Sequence, residues 1–429
     1  MSVSNSKTGV DNTLDTSTTD SRLSERRPTG GVDWAKDDHA VAVVDPDGEQ
    51  TARFTVAHDQ AGLRELVRRL LKAGVVEVGI ERPDGPVVVA LRQAGLVVFV
   101  IPPVQLKNLR SRYGSAGNKD DRFDAYVLAD TVRTDHRRLR PLLSDTPTTT
   151  ALRQTVRARR DLVAHRVAVA NQLRAHLQIC FPGAGGLFAD IDSEISLRFL
   201  ERFPTQDRAD WLSPRRLGAW LASVGYCGRV DPTVLHTRLT DAPRGHTGDN
   251  TTASAAVTTA YTAVLRTLTK QIAELAARIS EQLDTHPDAE IFTSLPRSGR
   301  VRAARLLAEI GDARGRFPTA DSLVCLTGVA PSTRQSGKVR AVSFRWGADR
   351  ELRDAICDFA GDSRHDNPWA ADLYRRARAR GHDHPHAVRV LARAWVSIIW
   401  ACWTTHSTYQ PDRHRALQRI LSQDQPAAA

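Results

Sequence analysis

From residue 30 onward, short apolar runs alternate with amphipathic segments, and this pattern constrains the fold more than any other feature of the sequence. A Pro46-Asp47-Gly48 turn separates two of the runs. Strands are predicted at residues 31–33, 39–44, 50–56, 75–80 and 96–101, and helices at residues 60–71, 87–94 and 121–134. Strands that alternate with helices are typical of α/β proteins, so we predict an α/β domain here.

The remainder of the chain is predicted to be mostly helical. An arginine-rich helix from residue 152 to about 179 and a second helix from 252 to about 283, which carries Leu and Ile at helical spacing, could pair as a coiled-coil stalk. Residues 182–243 show no clear period, and no fold is predicted for them. The expected organisation is a disordered tail (1–28), an α/β domain (29–145), a helical stalk with an insertion (146–290), a mostly helical C-terminal domain with a loop at 328–337 (291–410) and a tail (411–429).

The charge balance favours a polyanionic partner. Lys and Arg number 60 against 49 Asp and Glu, which gives a formal net charge of +11. Such an excess favours nucleic acid, because cationic side chains replace the counterions of phosphates. The apolar runs are too short to span a bilayer, so no membrane partner is expected. Five scattered cysteines and an N-terminus without an apolar stretch favour a reducing cytoplasm.

Four acidic residues follow a pattern that suits metal-dependent chemistry. Asp33 and Glu81 each end an apolar run, and Asp121 and Asp124 lie at i and i+3 on one face of a predicted helix. Four convergent carboxylates could hold two Mg²⁺ ions for phosphoryl transfer. Each acid alone could instead be a turn, strand-end or helix N-terminal residue. Asp120 is an alternative to Asp121, although only Asp121 keeps the i, i+3 relation.

A second candidate site is the segment of glycine, proline and hydroxyl residues at 328–337. Ser336 lies beside Gly337 in a basic neighbourhood, where its hydroxyl could donate a hydrogen bond to a phosphate or attack it as a nucleophile. An ordinary turn serine is the alternative. Residue chemistry alone does not choose between these roles.

The sequence resembles the DEDD-type transposases of the insertion sequence 110 family. The matching segments are residues 31–48, 79–85 and 119–125, which place the four family acids on Asp33, Glu81, Asp121 and Asp124. The family's Gly-x-x-Pro-x-x-x-x-Ser-Gly pattern is matched by Gly328, Pro331, Ser336 and Gly337. Residues 295–312 look like the helix-hairpin-helix region that precedes this pattern in the family.

The resemblance implies a fold and a function. It implies a RuvC-like, ribonuclease-H-type N-terminal domain, a helical coiled-coil stalk and a mostly helical C-terminal transposase domain. It also implies a recombinase that cuts and rejoins donor and target DNA, with two Mg²⁺ ions on the four acids and Ser336 as the covalent nucleophile. A noncoding bridge RNA, a homodimer that assembles into a tetramer, and a prokaryotic, nucleoid-associated location are implied as well.

Basic residues near these motifs are expected to contact nucleic acid: Lys119, Arg122, Arg300, Arg302, Arg334, Lys338 and Arg340. Two other functions remain open at this point. A RuvC-like junction nuclease would use metal-activated water and no serine. A non-catalytic nucleic-acid-binding protein would keep the fold without binding metal.

Overall fold

The computed structural model describes residues 27–113, 120–245, 251–337 and 339–423. The chain divides into two compact units, Met1–Ser144 and Asp145–Ala429. Two of the expected nucleic-acid contacts, Lys119 and Lys338, lie outside the described residues.

The first unit contains a five-stranded mixed sheet. Its elements are β1 (Thr29–Trp34), β2 (Asp38–Val44), β3 (Gln50–Ala57), α1 (Gln60–Lys72), β4 (Glu77–Ile80), α2 (Pro86–Gln93), β5 (Val97–Val100), α3 (Pro103–Arg110) and α4 (Asp121–Asp135). The strand order is β3-β2-β1-β4-β5. The first three strands form an antiparallel meander, whereas β4 and β5 run parallel to β1. This is the ribonuclease-H-like arrangement, and the predicted α/β class is confirmed.

Helices cover both faces of this sheet. On one face, Leu66 and Leu70 of α1 pack with Val41 and Val78, all fully buried. On the other face, α3 and α4 pack against alternate residues of the same strands, such as Phe99. Residues with period 2 along a strand point to opposite faces, so the inner strands β2, β1 and β4 can be buried on both faces. This explains why the buried runs of the sequence are apolar throughout.

Helix α4 lies unusually close to the centre of the sheet. Gly31 of β1 is paired with Gly79 of β4, and neither residue has a side chain to hold the helix away. A Cβ atom on Gly31 would lie 2.0 Å from the carbonyl oxygen of Ala125 and 2.5 Å from the amide nitrogen of Ala129. A Cβ atom on Gly79 would lie 2.8 Å from the carbonyl oxygen of Leu128. The two glycines therefore set the height of α4 above β1 and β4.

The second unit is built around two helices of 34 residues, α5 (Pro147–Cys180) and α11 (Thr251–Asp284). They are antiparallel. Leu152 of α5 shares a hydrophobic cluster with Leu283 of α11. Near the opposite ends, Nε2 of His176 lies 3.1 Å from Oγ1 of Thr258. The helical pair that was predicted as a stalk is thus present.

Five short helices fill the region for which no fold was predicted. They are α6 (Pro182–Gly185), α7 (Glu194–Arg202), α8 (Gln206–Ala209), α9 (Pro214–Ser223) and α10 (Pro232–Asp241). Aromatic rings, including Phe199, Phe203 and Trp220, pack together with the end of α5 into a separate core. Helices of four to ten residues are too short to show a clear period in the sequence.

Most of the remaining elements surround another core of the second unit. The remaining elements are α12 (Ala289–Thr293), α13 (Gly299–Ile310), α14 (Ala320–Thr327), β6 (Ser332–Ser336), β7 (Val339–Ser343), α15 (Arg350–Ser363), α16 (Pro368–Ala379), α17 (His384–Thr404) and α18 (Arg415–Gln423). Two predictions differ from this arrangement. Much of the predicted loop at 328–337 is one strand of an antiparallel hairpin. The predicted tail after 411 contains α18, which buries Leu417.

The sequence did not predict this hairpin, and the reason is physical. Most of its side chains are exposed on both faces, so no alternation of polar and apolar residues marks it as a strand. Its turn contains Gly337 with φ +54°, a left-handed conformation that glycine adopts without strain. Gly337 therefore does lie in a turn, but this turn joins two strands and is not part of a long loop.

Helix α17 is the core helix of the second unit. Within the described part of the chain it alone is long and apolar enough to cross a membrane by length and composition. Its Trp395 is fully buried and donates a hydrogen bond from Nε1 to Oγ of Ser363 (2.9 Å). Trp403 is also fully buried and donates from Nε1 to the carbonyl oxygen of Gly311 (2.8 Å). The buried side chains of α17 belong to a hydrophobic core, which a soluble protein fills with apolar residues.

We expect Gly31→Ala to lower the free energy of unfolding of the first unit by about 1–3 kcal/mol, because the added Cβ meets backbone atoms of α4. Thermal unfolding of the full chain measures the effect. Gly30→Ala is the matched control, since a Cβ there meets only side-chain atoms, at 3.1–3.3 Å. An equal loss in both variants would contradict the special role of the α4 contact.

Candidate metal centre and serine hairpin

Three of the four predicted acids come together at one end of the sheet. Asp33 is near the end of β1 and is 7% exposed, Asp124 is fully buried in the first turn of α4, and Asp121 is the exposed first residue of that helix. One carboxylate oxygen from each lies within 4.8 Å of the others. Hard oxygen donors at this separation are typical ligands of Mg²⁺.

The fourth acid, Glu81, follows β4 directly. Because Val32 is paired with Ile80 in parallel strands, the next residue of each strand, Asp33 and Glu81, lies at the same edge of the sheet. The two carboxyl groups form a hydrogen bond. Glu81 therefore joins the group that Asp33 forms with the α4 acids.

Asp120 has a different role from its neighbour. It is the N-cap of α4, and its Oδ1 accepts a hydrogen bond from the backbone N–H of Arg122 at 3.0 Å. A capping carboxylate satisfies one of the free N–H groups of the first helical turn. Asp121, one residue later, is the acid whose oxygen approaches Asp33. The geometry therefore favours Asp121 over Asp120 as a ligand.

The electrostatics of this group of acids favour a cation. Burial raises the pKa of Asp33 to about 7, and repulsion from the carboxylates of Glu81, Asp124 and Asp121 adds to the rise. A buried carboxylate surrounded by like charges is costly unless a positive charge compensates it. An all-carboxylate donor set of this kind fits a hard divalent cation, and these four residues would hold it.

Sequence reasoning missed one residue of this site, Arg110. It is the last residue of α3, a helix that was not predicted, and its guanidinium forms a two-pronged salt bridge with both carboxylate oxygens of Asp124. Pro103 occupies the first helical position of α3, where proline is favoured, so it could have marked the start of this helix in the sequence. Arg110 supplies part of the positive charge that buried Asp124 requires.

Ser336 lies in the second unit, as the last residue of β6. It is exposed and is paired with Val339 across the hairpin turn. Side chains at i and i+2 of a strand share a face, so Arg334 lies on the same face as Ser336. Arg340 is paired with Gln335 and belongs to the opposite face. The serine hydroxyl is therefore accessible, with one exposed guanidinium on its side of the hairpin.

The other predicted nucleic-acid contacts are differently placed. Arg122 is exposed on the first turn of α4. Arg300 forms an ion pair with Asp284, and Nε of Arg302 lies 2.9 Å from Oδ2 of Asp358. Arg300 and Arg302 are thus already compensated by acids of the same unit.

Two transposase family models and several known proteins match this chain. A DEDD transposase model of the IS110 group matches residues 30–182, and a model of the IS116/IS110/IS902 transposase family matches residues 289–375. The chain is 32% identical to the IS117 mini-circle protein of Streptomyces coelicolor, over 91% of this chain and 97% of that protein. It is 31% identical to the 42 kDa protein of insertion element IS900 from Mycobacterium paratuberculosis, over 89% and 96% of the two chains.

The chain belongs to the IS110 family of DEDD transposases. This transposase is therefore an enzyme that acts on DNA, as the sequence predicted. The first matched segment contains all four acids, and the second contains Ser336. The relatives named above come from bacteria.

We expect the stability of the metal-free transposase to fall between pH 4 and pH 7 because of Asp33. Its pKa is about 7 in the folded chain and about 4 when unfolded, so the folded state holds the proton more tightly and loses this advantage as the pH rises. Asp33→Asn should remove this contribution. Unfolding measured against pH in EDTA tests it, and identical pH profiles for both proteins would contradict it.

We also expect Arg110→Gln to destabilise the metal-free transposase by about 1.5–3 kcal/mol, because Asp124 loses its charged partner. The same change should tighten Mg²⁺ binding several-fold, since a competing positive charge is removed. Calorimetric titration and thermal unfolding measure the two effects. Arg112→Gln is the control, because the polar contacts of Arg112, a 3.5 Å ion pair with Asp135 and a 3.1 Å hydrogen bond to Oγ1 of Thr134, are exposed. Unchanged Mg²⁺ affinity in Arg110→Gln would count against this interpretation.

Proposed function

We propose that this transposase cuts and rejoins donor and target DNA through two centres, the acid group of the first unit and Ser336 of the second. The observation that carries the proposal is the convergence of Asp33, Asp121 and Asp124, whose oxygens lie within 4.8 Å of one another beside Glu81. Bringing these carboxylates together is costly unless a cation compensates their charge.

The four acids would hold Mg²⁺, for which two ions per site are expected. When bound, the metal polarises the scissile phosphate and stabilises the oxygen that leaves it. Asp33 and Asp124 are buried and so keep their carboxylates in fixed positions, whereas exposed Asp121 can meet the substrate. Glu81, at the end of the neighbouring parallel strand, would share the metal with Asp33.

Ser336 would act as the covalent nucleophile. Its Oγ attacks the phosphorus and loses its proton, a serine–phosphate bond forms, and the bridging P–O bond to one side of the strand breaks to release a hydroxyl. In the second step the hydroxyl of the incoming strand attacks the same phosphorus and releases the serine. The number of phosphoester bonds is conserved, so rejoining needs no external energy source. Arg334, on the same face of the hairpin, would compensate the phosphate charge.

An RNA guide and an oligomer belong to the same proposal. The resemblance to the family implies a noncoding bridge RNA that pairs with donor and target DNA, and a homodimer that assembles into a tetramer. The net charge of +11 is compatible with binding of nucleic acid. A location on the nucleoid would follow from these partners.

A junction nuclease that uses metal-activated water is the second candidate. One observation favours it: all four acids belong to the first unit, so the residues that would hold the metal do not include the serine. The two candidates differ in whether a protein–DNA adduct forms.

We expect Ser336→Ala and Asp121→Ala each to abolish strand transfer, with a loss of at least about 10³-fold, because each removes a reacting or metal-holding group. The assay mixes the full-length protein, RNA transcribed from the flanks of its gene, labelled donor and target DNA, and Mg²⁺. A denaturant-resistant protein–DNA adduct should form only with the unmodified protein and with Ser343→Ala. Ser343 is the control because it lies on the partner strand of the same hairpin.

Cleavage that persists in Ser336→Ala without any adduct would reject the serine mechanism and leave the nuclease. Absence of metal-dependent cleavage in the unmodified protein, with or without RNA, would reject both.

A further inference from the structure

A groove in the second unit is unusually rich in arginine. It lies where α5 and α13 meet, has a volume of about 500 Å³, and is open to solvent. The arginines that line it are Arg159, Arg160, Arg300, Arg302 and Arg305. Arg159 and Arg160 belong to α5, and the other three belong to α13. The N-terminus of α13 also borders the groove, and the helix dipole adds partial positive charge there.

A buried hydroxyl without a partner also lines this groove. Ser298 is the N-cap residue of α13 and is only 2% exposed, yet its side chain does not cap the helix. Its Oγ makes no hydrogen bond within the described part of the chain. An unpaired buried hydroxyl costs free energy, so its position at the groove indicates a ligand that accepts its hydrogen bond.

The arginines of the groove differ in whether they are compensated. Arg302 pairs with Asp358, the one acid among the residues that line the groove, and Arg300 and Arg160 also have acidic partners. By contrast, Arg159 and Arg305 form no ion pair with any described residue. The Nε atom of Arg159 is buried and has no partner in the same part of the chain. Two free guanidinium groups therefore face the groove beside the unpaired serine.

The groove is held in shape by other contacts between the same helices. Arg157 of α5 donates from Nε and a terminal nitrogen to both oxygens of buried Glu309 on α13, at 2.9 and 2.7 Å. Arg153 donates from Nε to the carbonyl oxygen of Ala308 at 2.6 Å. Arg153 and Arg157 are four residues apart on one face of α5, and their bonds hold α13 against that helix. Arg159 lines the groove instead.

We propose that this groove binds a phosphodiester group of the DNA backbone, with Arg159, Arg305 and the hydroxyl of Ser298 as its donors. Helix N-termini and paired guanidinium groups are the usual protein ligands of phosphate oxygens. No aromatic side chain lines the groove among the described residues, so contact with the backbone is favoured over stacking on a base. The choice of DNA rests on the proposed function.

The experiment measures binding of the full-length transposase to a short DNA duplex in EDTA, where no metal-dependent cleavage occurs, over a range of salt concentrations. Arg159→Ala and Arg305→Ala should each reduce the slope of log affinity against log salt by about 1, because one phosphate contact is lost. Arg375→Ala removes the same charge from the exposed surface of α16 and should leave the slope unchanged.

Ser298→Ala separates binding from folding. Because the hydroxyl has no partner in the free protein, its removal should leave the melting temperature unchanged or higher, while DNA affinity falls about tenfold. A fall in melting temperature with unchanged DNA affinity would show a structural role and overturn the proposal. A slope that changes only with single-stranded RNA of the same sequence would overturn the choice of DNA.

Failure of this proposal is distinct from failure of the proposed function. The groove is tested without metal, and strand transfer is tested with Mg²⁺ and the Ser336 and Asp121 variants. Unchanged salt slopes in the arginine variants together with intact strand transfer would reject the groove alone. Altered slopes without strand transfer would reject the mechanism and retain the groove.

Discussion

The contact between α4 and the central strands is the constraint on which the candidate active site depends. Gly31 and Gly79, paired across β1 and β4, allow backbone to approach backbone at a distance that no other residue would permit. Asp33 lies two residues beyond Gly31 on the same face of its strand, and Asp124 lies one residue before Ala125, which contacts Gly31. If a methyl group on Gly31 held α4 farther from the sheet, Asp121 and Asp124 would lie farther from Asp33.

This close packing gathers negative charge, and the surrounding residues only partly compensate it. The raised pKa of Asp33 reflects its burial first and then the repulsion of three neighbouring carboxylates. Arg110 compensates Asp124 through both of its oxygens. The site thus favours a divalent cation because the folded protein already bears the cost of bringing the acids together. A metal-binding site of this kind exchanges some stability of the free protein for affinity.

The second unit uses its arginines in two ways. Arg153 and Arg157 hold α13 against α5, and their charges are satisfied within the protein. Arg159 and Arg305 have no acidic partner among the described residues and face a groove at the start of α13. Composition counts all of these arginines equally in the net charge. Only the uncompensated ones can contribute fully to phosphate binding, because a paired guanidinium must first lose its partner.

The amino-acid sequence by itself determined the α/β class and predicted the four acids and the serine motif, because apolar runs, i, i+3 spacing and short motifs are local properties. Tertiary structure alone decided that Asp120 caps α4 while Asp121 joins Asp33, that Arg110 pairs with Asp124, and which arginines stay free. It also showed that the serine segment is a hairpin. The approach of Asp121 to Asp33 depends on a contact between residues far apart in the chain, which no local pattern encodes. The hairpin is local, but its exposed strands carry no alternation of polar and apolar residues that would mark them.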